Sequence, residues 1–277
     1  MYYREGIKEL INDRKNPVNR MYLHEIMLKW QSFEKKAEKF NDVSNENLVK
    51  SLNTFISAIS NNKYKYNNST KNGFKPDSPI YSAAYLDDLL TVFIKRTEIY
   101  TNLGISWGYQ AFSTELKFNP ANLCSMSDHP KFEYYSSAKI LHLAQKLDFQ
   151  FRVTGKRRFN KHQLVLPLIL FFTYQNLTEK DYITIEYYAN QAKATFEKSK
   201  AIIVTETLDD EFKPDISNSP FNSIFILRKQ YKSGRNNSIQ LDVVNKLEKR
   251  IKAYCTESTN NGYNFFKSGV IDSFSGR

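Results

Sequence analysis

Only nine glycines and eight prolines are spread over the 277 residues. Tight turns use both residue types, so their scarcity argues against an all-β chain of many short strands and for long helices. The apolar spacing points the same way. Tyr22, Ile26, Trp30, Phe33, Ala37 and Phe40 recur at three- and four-residue steps between Met21 and Phe40, which puts them on one helical face. Ser44 suits the N-cap of a second helix whose buried stripe is Leu48, Leu52, Phe55 and Ile59. The two are expected to pair antiparallel.

Asn61 to Pro79 breaks the pattern with Asn, Lys, Gly and Pro and reads as a long basic loop. Ser82 to Asn102 is expected to be helical, with Leu86, Leu89, Leu90 and Phe93 on its apolar side. Gly104 to Phe118 is the main strand candidate and suggests a β-hairpin. The loop from Asn119 to Pro130 is the expected domain boundary.

Beyond it, Ile140, Leu143, Ala144 and Leu147 sit at i, i+3, i+4 and i+7, so the spacing predicts a helix over Tyr134–Phe149. Phe159 to Gln175 is read as an apolar helix kinked at Pro167. Thr178 opens the longest helix, to about Thr205, with Asp181 completing a capping-box pattern. Ser223 to Tyr231 reads as a strand or a helix start. Ser238 to Cys255 is a clear helix, and Thr256 to Arg277 is polar and expected to be loosely held.

The fold expectation is therefore mainly α: a bundle-like helical core with a minor β-hairpin around 104–118. It divides into an N-terminal helical region over 1–118 and a C-terminal helical region over 131–277, with a single domain as the other option. The longest apolar run, Leu164 to Phe172, is broken by Pro167 and falls far short of the ~20 residues of a membrane span. Met1 to Asn12 has Glu5 and Glu9 and no apolar stretch of signal-peptide type. Two cysteines, Cys124 and Cys255, make no disulfide framework and suit a cytoplasmic, reducing compartment.

Forty Lys and Arg against twenty-nine Asp and Glu leave a net charge of +11. That excess favours a polyanionic partner. It is also clustered. Phe149 to Asn176 has no acid and holds Arg152, Lys156, Arg157, Arg158 and Lys161 within ten residues, with Phe149, Phe151 and Phe159 among them. Ile216 to Leu241 has no acid and holds Arg228, Lys229, Lys232 and Arg235, with Tyr231 beside them. Lys63, Tyr64, Lys65 and Tyr66 repeat the mixture. Guanidinium groups fork onto phosphate oxygens and aromatic faces stack on unpaired bases, so these residues are the candidate nucleic-acid contacts.

Arg157 to His162 reads RRFNKH, an R-x4-H spacing that resembles the catalytic motif of HEPN-type ribonucleases. The resemblance covers six of the 277 residues. It implies a helical bundle, with Arg157 holding a phosphate and His162 acting as acid or base without a metal. Arg158 departs from the polar residue often seen after the motif arginine. A Mg²⁺-dependent nuclease is a second enzymatic option. It needs an acid plus an acid-x-Lys pair on strands, so that two carboxylates hold the ion beside a lysine. Glu115-Leu116-Lys117 with Asp77, Asp87 or Asp88 as the upstream acid fits; Glu211-Phe212-Lys213 beside Asp215 is a second option, with the order reversed.

Cys124, Asp128, His129 and His142 lack the paired spacing of a zinc site. No P-loop, G-x-G-x-x-G, G-x-S-x-G or H-E-x-x-H occurs, which argues against a nucleotide-driven motor, a Rossmann dehydrogenase and a serine hydrolase. The leading expectation is a nucleic-acid-binding protein without a cofactor. A nuclease, with Mg²⁺ in one version, is the alternative. A scaffold docking an acidic protein, or a homo-oligomer, is the third reading.

Overall fold

The computed structural model describes residues 1–13, 16–118, 132–152, 159–234 and 236–268. Helix α1 (Tyr2–Asp13) is followed by α2 (Pro17–Glu38). Pro17 stands at the start of α2, and the Asn16 side chain accepts the N–H of Val18 at 2.9 Å. Its buried stripe includes Leu23, Ile26, Trp30, Phe33 and Ala37. Helix α3 (Asn45–Ile59) begins at Ser44, whose side chain accepts the N–H of Asn47 at 3.3 Å. Helix α4 (Ala84–Lys95) and a short 3-10 turn (Glu98–Thr101) take the place of the single helix expected over Ser82–Asn102. The aromatic centre of this layer is Tyr3, Trp30, Phe33, Phe55 and Tyr85, all buried.

From Gly104 onward the mainly α expectation is overturned: the fold is mixed α/β. The strands are β1 (Ile105–Gln110), β2 (Ser113–Phe118), β3 (Phe132–Ser136), β4 (Ile140–Arg152) and β5 (Phe159–Leu177). Helix α5 (Glu179–Thr195), β6 (Lys200–Leu208), β7 (Ser223–Ile226) and α6 (Leu241–Ser268) complete the described elements. The main sheet has the order β1-β4-β5-β6-β7. Its first three strands run antiparallel, whereas β5, β6 and β7 are parallel, with α5 crossing between β5 and β6. The segment expected as one hairpin at 104–118 is two strands with different partners: β1 pairs with β4, and β2 pairs with β3. Gly104, at φ +81°, lies so close to β4 that a Cβ would sit 2.8 Å from the Lys146 carbonyl.

The helix expectations over Tyr134–Phe149 and Phe159–Gln175 fail for one reason. The central strands are covered on both faces. Leu141, Leu143, Ile169, Phe171, Ile202 and Val204 join the core under α1–α4 and α6, while Ile140, Leu170, Phe172, Ala201 and Ile203 join the core under α5. A strand buried on both sides carries no alternation and cannot be told from a buried helix by its apolar pattern. Pro167 marks a bulge rather than a helix kink: Ala144 faces Pro167 while Leu143 faces Ile169, which leaves Leu168 as the extra residue. Thr178 does open a helix with a full capping box, but the helix stops at Thr195. The β-branched run Ile202-Ile203-Val204-Thr205 then forms β6, where such residues pack well.

The helix expected over Ser238–Cys255 is α6, Leu241–Ser268, which extends into the polar segment that begins at Thr256; residues 269–277 lie outside the described residues. Arg96 ties the helical layer to it. Its guanidinium donates to the carbonyls of Phe40 (2.6 Å) and Val43 (2.5 Å), to Asn45 Oδ1 (2.7 Å) and to Glu248 Oε1 (3.1 Å). The expected boundary over Asn119–Pro130 lies outside the described residues. No described helix is long and apolar enough to cross a membrane.

Candidate functional site

The long strand β5 organises the charged residues of the fold, because its two ends meet opposite kinds of side chain. Near its carboxyl end it faces α4. Asp87 is 2% exposed, yet no cation among the described residues pairs with its carboxylate. Thr173 Oγ1 of β5 donates to it at 2.7 Å and the Tyr109 hydroxyl of β1 donates at 2.9 Å. Burial pushes the Asp87 carboxyl up to about 7; the two hydrogen bonds pull downward, and nearby Asp88 pushes further up. Asp88 accepts the backbone N–H groups of Tyr2 (2.6 Å) and Tyr3 (3.1 Å), so it caps the first turn of α1 from another helix. The Tyr2 ring meets Tyr109 edge-on at 5.3 Å, and burial raises the Tyr2 hydroxyl to about 12, with Asp87 and Asp88 adding to the shift.

On the neighbouring strand, Glu206 is buried and paired with Arg228, whose side chain is also mostly buried. Arg228 further donates to Asn236 Oδ1 (2.9 Å) and to the Asn237 carbonyl (2.8 Å). Burial raises the Glu206 carboxyl, and the Arg228 charge pulls it back.

The structure separates the expected phosphate-binding residues. Arg152 ends β4 opposite Phe159, Lys161 of β5 stands opposite Gln150, and His162 opposite Phe149. Lys156, Arg157 and Arg158 lie outside the described residues. Arg228 sits near Gln175, sixteen residues further along β5, a separation of roughly 50 Å along the strand. Arg152 and Lys161 therefore lie at one end of β5 and Arg228 at the other. Arg228 is turned inward on Glu206. Lys229, at φ 51°, pairs with Asp242 at 2.7 Å. Lys232 and Tyr231 are exposed, and Arg235 is outside the described residues. Lys63 pairs with Glu25 and lies 4.7 Å over the Tyr64 ring; Lys65 is exposed. Tyr64 is fully buried with its hydroxyl on Glu25, while Tyr66 is exposed.

The R-x4-H reading implied a helical bundle. His162 instead lies on β5, one strand of an antiparallel pair, because this stretch belongs to the sheet. Cys124, Asp128 and His129 are outside the described residues. His142 is buried, and burial lowers its imidazole to about 4, so it stays neutral.

Mg²⁺ takes oxygen ligands in an octahedron and keeps several waters. Asp87, Asp88 and Glu206 do not fit that demand. Asp87 is enclosed, with both oxygens engaged; Asp88 is used by two backbone donors; Glu206 is neutralised by Arg228. No group of three or more His, Cys, Asp or Glu side chains able to hold a metal converges among the described residues. Nor does the backbone bring Glu115-x-Lys117 to Asp87. The root of β2 lies at Val165, whose N–H donates to Ser113 Oγ at 3.1 Å, while Asp87 sits at Thr173. Eight residues of strand separate these two points, about 26 Å.

With the strand order and its flanking helices in place, the fold is mixed α/β: six helices, among the described residues, around a five-stranded mixed sheet. The native BbvCI A2B2 tetramer, solved at low resolution, contains a chain similar to this one at a TM-score of 0.63. The two are 15% identical, and the match covers 94% of this chain and 98% of that one. No protein-family model matches the sequence, and no curated protein matches it.

Sequence reading missed the pairing of Glu206 with Arg228 and weighed Asp87 only as a metal ligand. A signal was present for both: an acid embedded in apolar runs, Leu86-Asp87-Asp88-Leu89-Leu90 and Ile203-Val204-Thr205-Glu206. Charged residues are rarely buried unless they are paired or hydrogen-bonded.

Proposed function

We propose that this chain binds duplex DNA as part of a nuclease of restriction type. The observation that supports this reading is the similarity of the whole chain to a BbvCI subunit at a TM-score of 0.63, in a restriction-endonuclease-like fold. The net charge of +11 adds an electrostatic reason for a DNA partner. On this reading the nuclease alternative moves ahead of a simple nucleic-acid binder. Arg152, Lys156, Arg157, Arg158 and Lys161 are the proposed phosphate contacts, with Lys232 and Arg235 as a second set. BbvCI is an A2B2 tetramer, and the present chain is likewise proposed to act in an assembly, which light scattering of the purified protein would read.

The test uses covalently closed circular DNA, with Mg²⁺ and with EDTA, over a salt series. Binding that falls steeply with salt, together with nicked or linear product in Mg²⁺ alone, is the expected result. Binding without product in either condition would sink the nuclease part and leave the DNA-binding part. An absence of binding at low salt would overturn both and favour a scaffold for an acidic protein.

A further inference from the structure

The first half of α6 buries one side and presents the other. Val244, Leu247, Ile251 and Tyr254 are buried in the core, and Asn245 is bonded to Asn45 of α3 at 2.8 Å, so the helix is fixed on the body of the protein. On its outer side Lys246, Lys249, Arg250 and Lys252 fall within seven residues, and all four are exposed. The acids of this segment serve other partners. Glu248 is buried and accepts from Asn45, Arg96 and Lys252. Asp242 is shared by Lys229 at 2.7 Å and Lys246 at 3.8 Å. Neither Lys249 nor Arg250 has an ion pair among the described residues.

The cations form a continuous row. At one end, Asp242 brings the loop residue Lys229 beside Lys246. At the other, the Arg250 guanidinium lies over the Tyr254 ring at 5.6 Å, and Lys200 Nζ of β6 lies over the same ring at 5.3 Å. From Asp242 to Tyr254 the helix rises about 18 Å, at 1.5 Å per residue. Holding this row works against the helix. Lys246 and Arg250 stand at i,i+4, and Lys246 with Lys249 and Lys249 with Lys252 stand at i,i+3, where like charges repel. With Glu248 turned inward, the face carries a positive potential that an external anion relieves.

The chemistry of the face narrows the choice of anion. From Asp242 to Ala253 its exposed positions hold no apolar side chain larger than alanine. The cores of protein–protein interfaces are depleted in lysine and enriched in aromatic residues, so a folded acidic protein has nothing to bury here. Single-stranded nucleic acid is held by stacking on aromatic side chains, and none is exposed along this stretch. A duplex backbone asks only for cations in a row. One strand carries a charge every 3.4 Å of axis, so 18 Å spans about five phosphates. We infer that the outer face of α6, with Lys229 and Lys200 at its ends, lies along one strand of duplex DNA and contacts its phosphates through Lys246, Lys249 and Arg250. These contacts position the duplex without reading its sequence. The inference rests on the DNA reading above and assigns that reading a surface.

The experiment compares the full chain with two triple variants that lose the same charge: Lys246→Gln/Lys249→Gln/Arg250→Gln on the row, and Lys29→Gln/Lys35→Gln/Lys71→Gln away from it. Glutamine keeps the helix propensity of the residues it replaces. Duplex and single-stranded DNA of equal length are titrated over a salt series, in EDTA so that no cleavage is read. The row variant should bind the duplex about tenfold more weakly or worse at moderate salt. Its log–log salt slope should be shallower by about 2.7, at roughly 0.9 for each of three phosphate contacts. The second variant should keep the slope of the unaltered chain, and the unaltered chain should prefer duplex to single strand. Urea titration of the row variant should give a midpoint equal to or above that of the unaltered chain, because like charges have been removed. A row variant that keeps the full slope overturns the surface while leaving DNA binding intact, and so does an equal loss in both variants. Equal binding of duplex and single strand overturns the duplex as the ligand of this face, and a lowered urea midpoint overturns the row as a strain held for a ligand. If the unaltered chain fails to bind DNA at low salt, the inference falls together with the functional reading that supports it.

Discussion

The two ends of β5 treat charge in opposite ways. Around Thr173 and Gln175 the acids are drawn inside: Asp87 is held by two hydroxyls, and Glu206 by Arg228. Around Phe159 the strand pairs with Arg152 and leads into a cation run with no acid in it. Composition alone makes both regions polar. What distinguishes them is partner supply and burial. A buried carboxylate must be hydrogen-bonded, paired or neutralised, so it becomes part of the fold. A cation run with no acid in it offers its own charges no partner within the stretch.

The contrast makes graded demands. Arg228→Ala should have the largest effect on stability, about 4 kcal/mol, because it strands the buried Glu206 carboxylate and frees the loop held through Asn236 and Asn237. Urea titration measures it, and a loss below about 1 kcal/mol would show that this end is not internally bound. A paired Arg228→Met/Glu206→Leu replacement should recover most of the loss.

Asp87→Asn comes next, with an effect that depends on pH. The folded-state carboxyl is raised to about 7 from its ordinary value of 3.8, so the native protein holds a proton that the unfolded chain releases. Stability therefore falls as pH rises between about 4 and 7, and levels off above that window. Relative to the Asn variant, the unaltered chain should lose about 3 kcal/mol between pH 5 and pH 8, at 1.36 kcal/mol per unit. Thermal melts at the two pH values read this difference, and parallel curves for the two proteins would remove Asp87 from the account.

The smallest effect belongs to the turn that follows β5. Thr178→Ala removes the side chain that accepts the Asp181 N–H at 3.2 Å and should cost about 1 kcal/mol in urea titration, at either pH. A dependence on pH there would mean that the carboxyl end of the strand is coupled more widely than its hydrogen bonds indicate.

The helical half was legible where local chemistry decides it. Asn16 and Pro17, Ser44, and Thr178 with Asp181 mark helix starts through side chains that bond the nearest backbone groups. The stripe from Leu23 to Ala37 keeps its period because one face of α2 meets solvent. The sheet was hidden because Leu164 to Phe172 is apolar on both faces, and a run without alternation carries no strand period. Scarce glycine and proline deepened the error, since long strands joined by few turns need little of either. The candidate site was legible only in part. The cation cluster at Arg152 to Lys161 stands out in the sequence, whereas the assignment of Arg228 to Glu206 does not, because the pairing joins residues of different strands.

By itself the sequence determined the charge excess, its clustering, the helix caps and the apolar stripes of the first layer, all of which depend on residues within a few positions of each other. Only the tertiary structure decided that the second half folds as a sheet, that Asp87 and Glu206 are buried against it, and that Arg152 and Arg228 lie at opposite ends of β5. These depend on which elements pack together. Burial and strand pairing are set by contacts between residues far apart in the chain, and no local spacing encodes them.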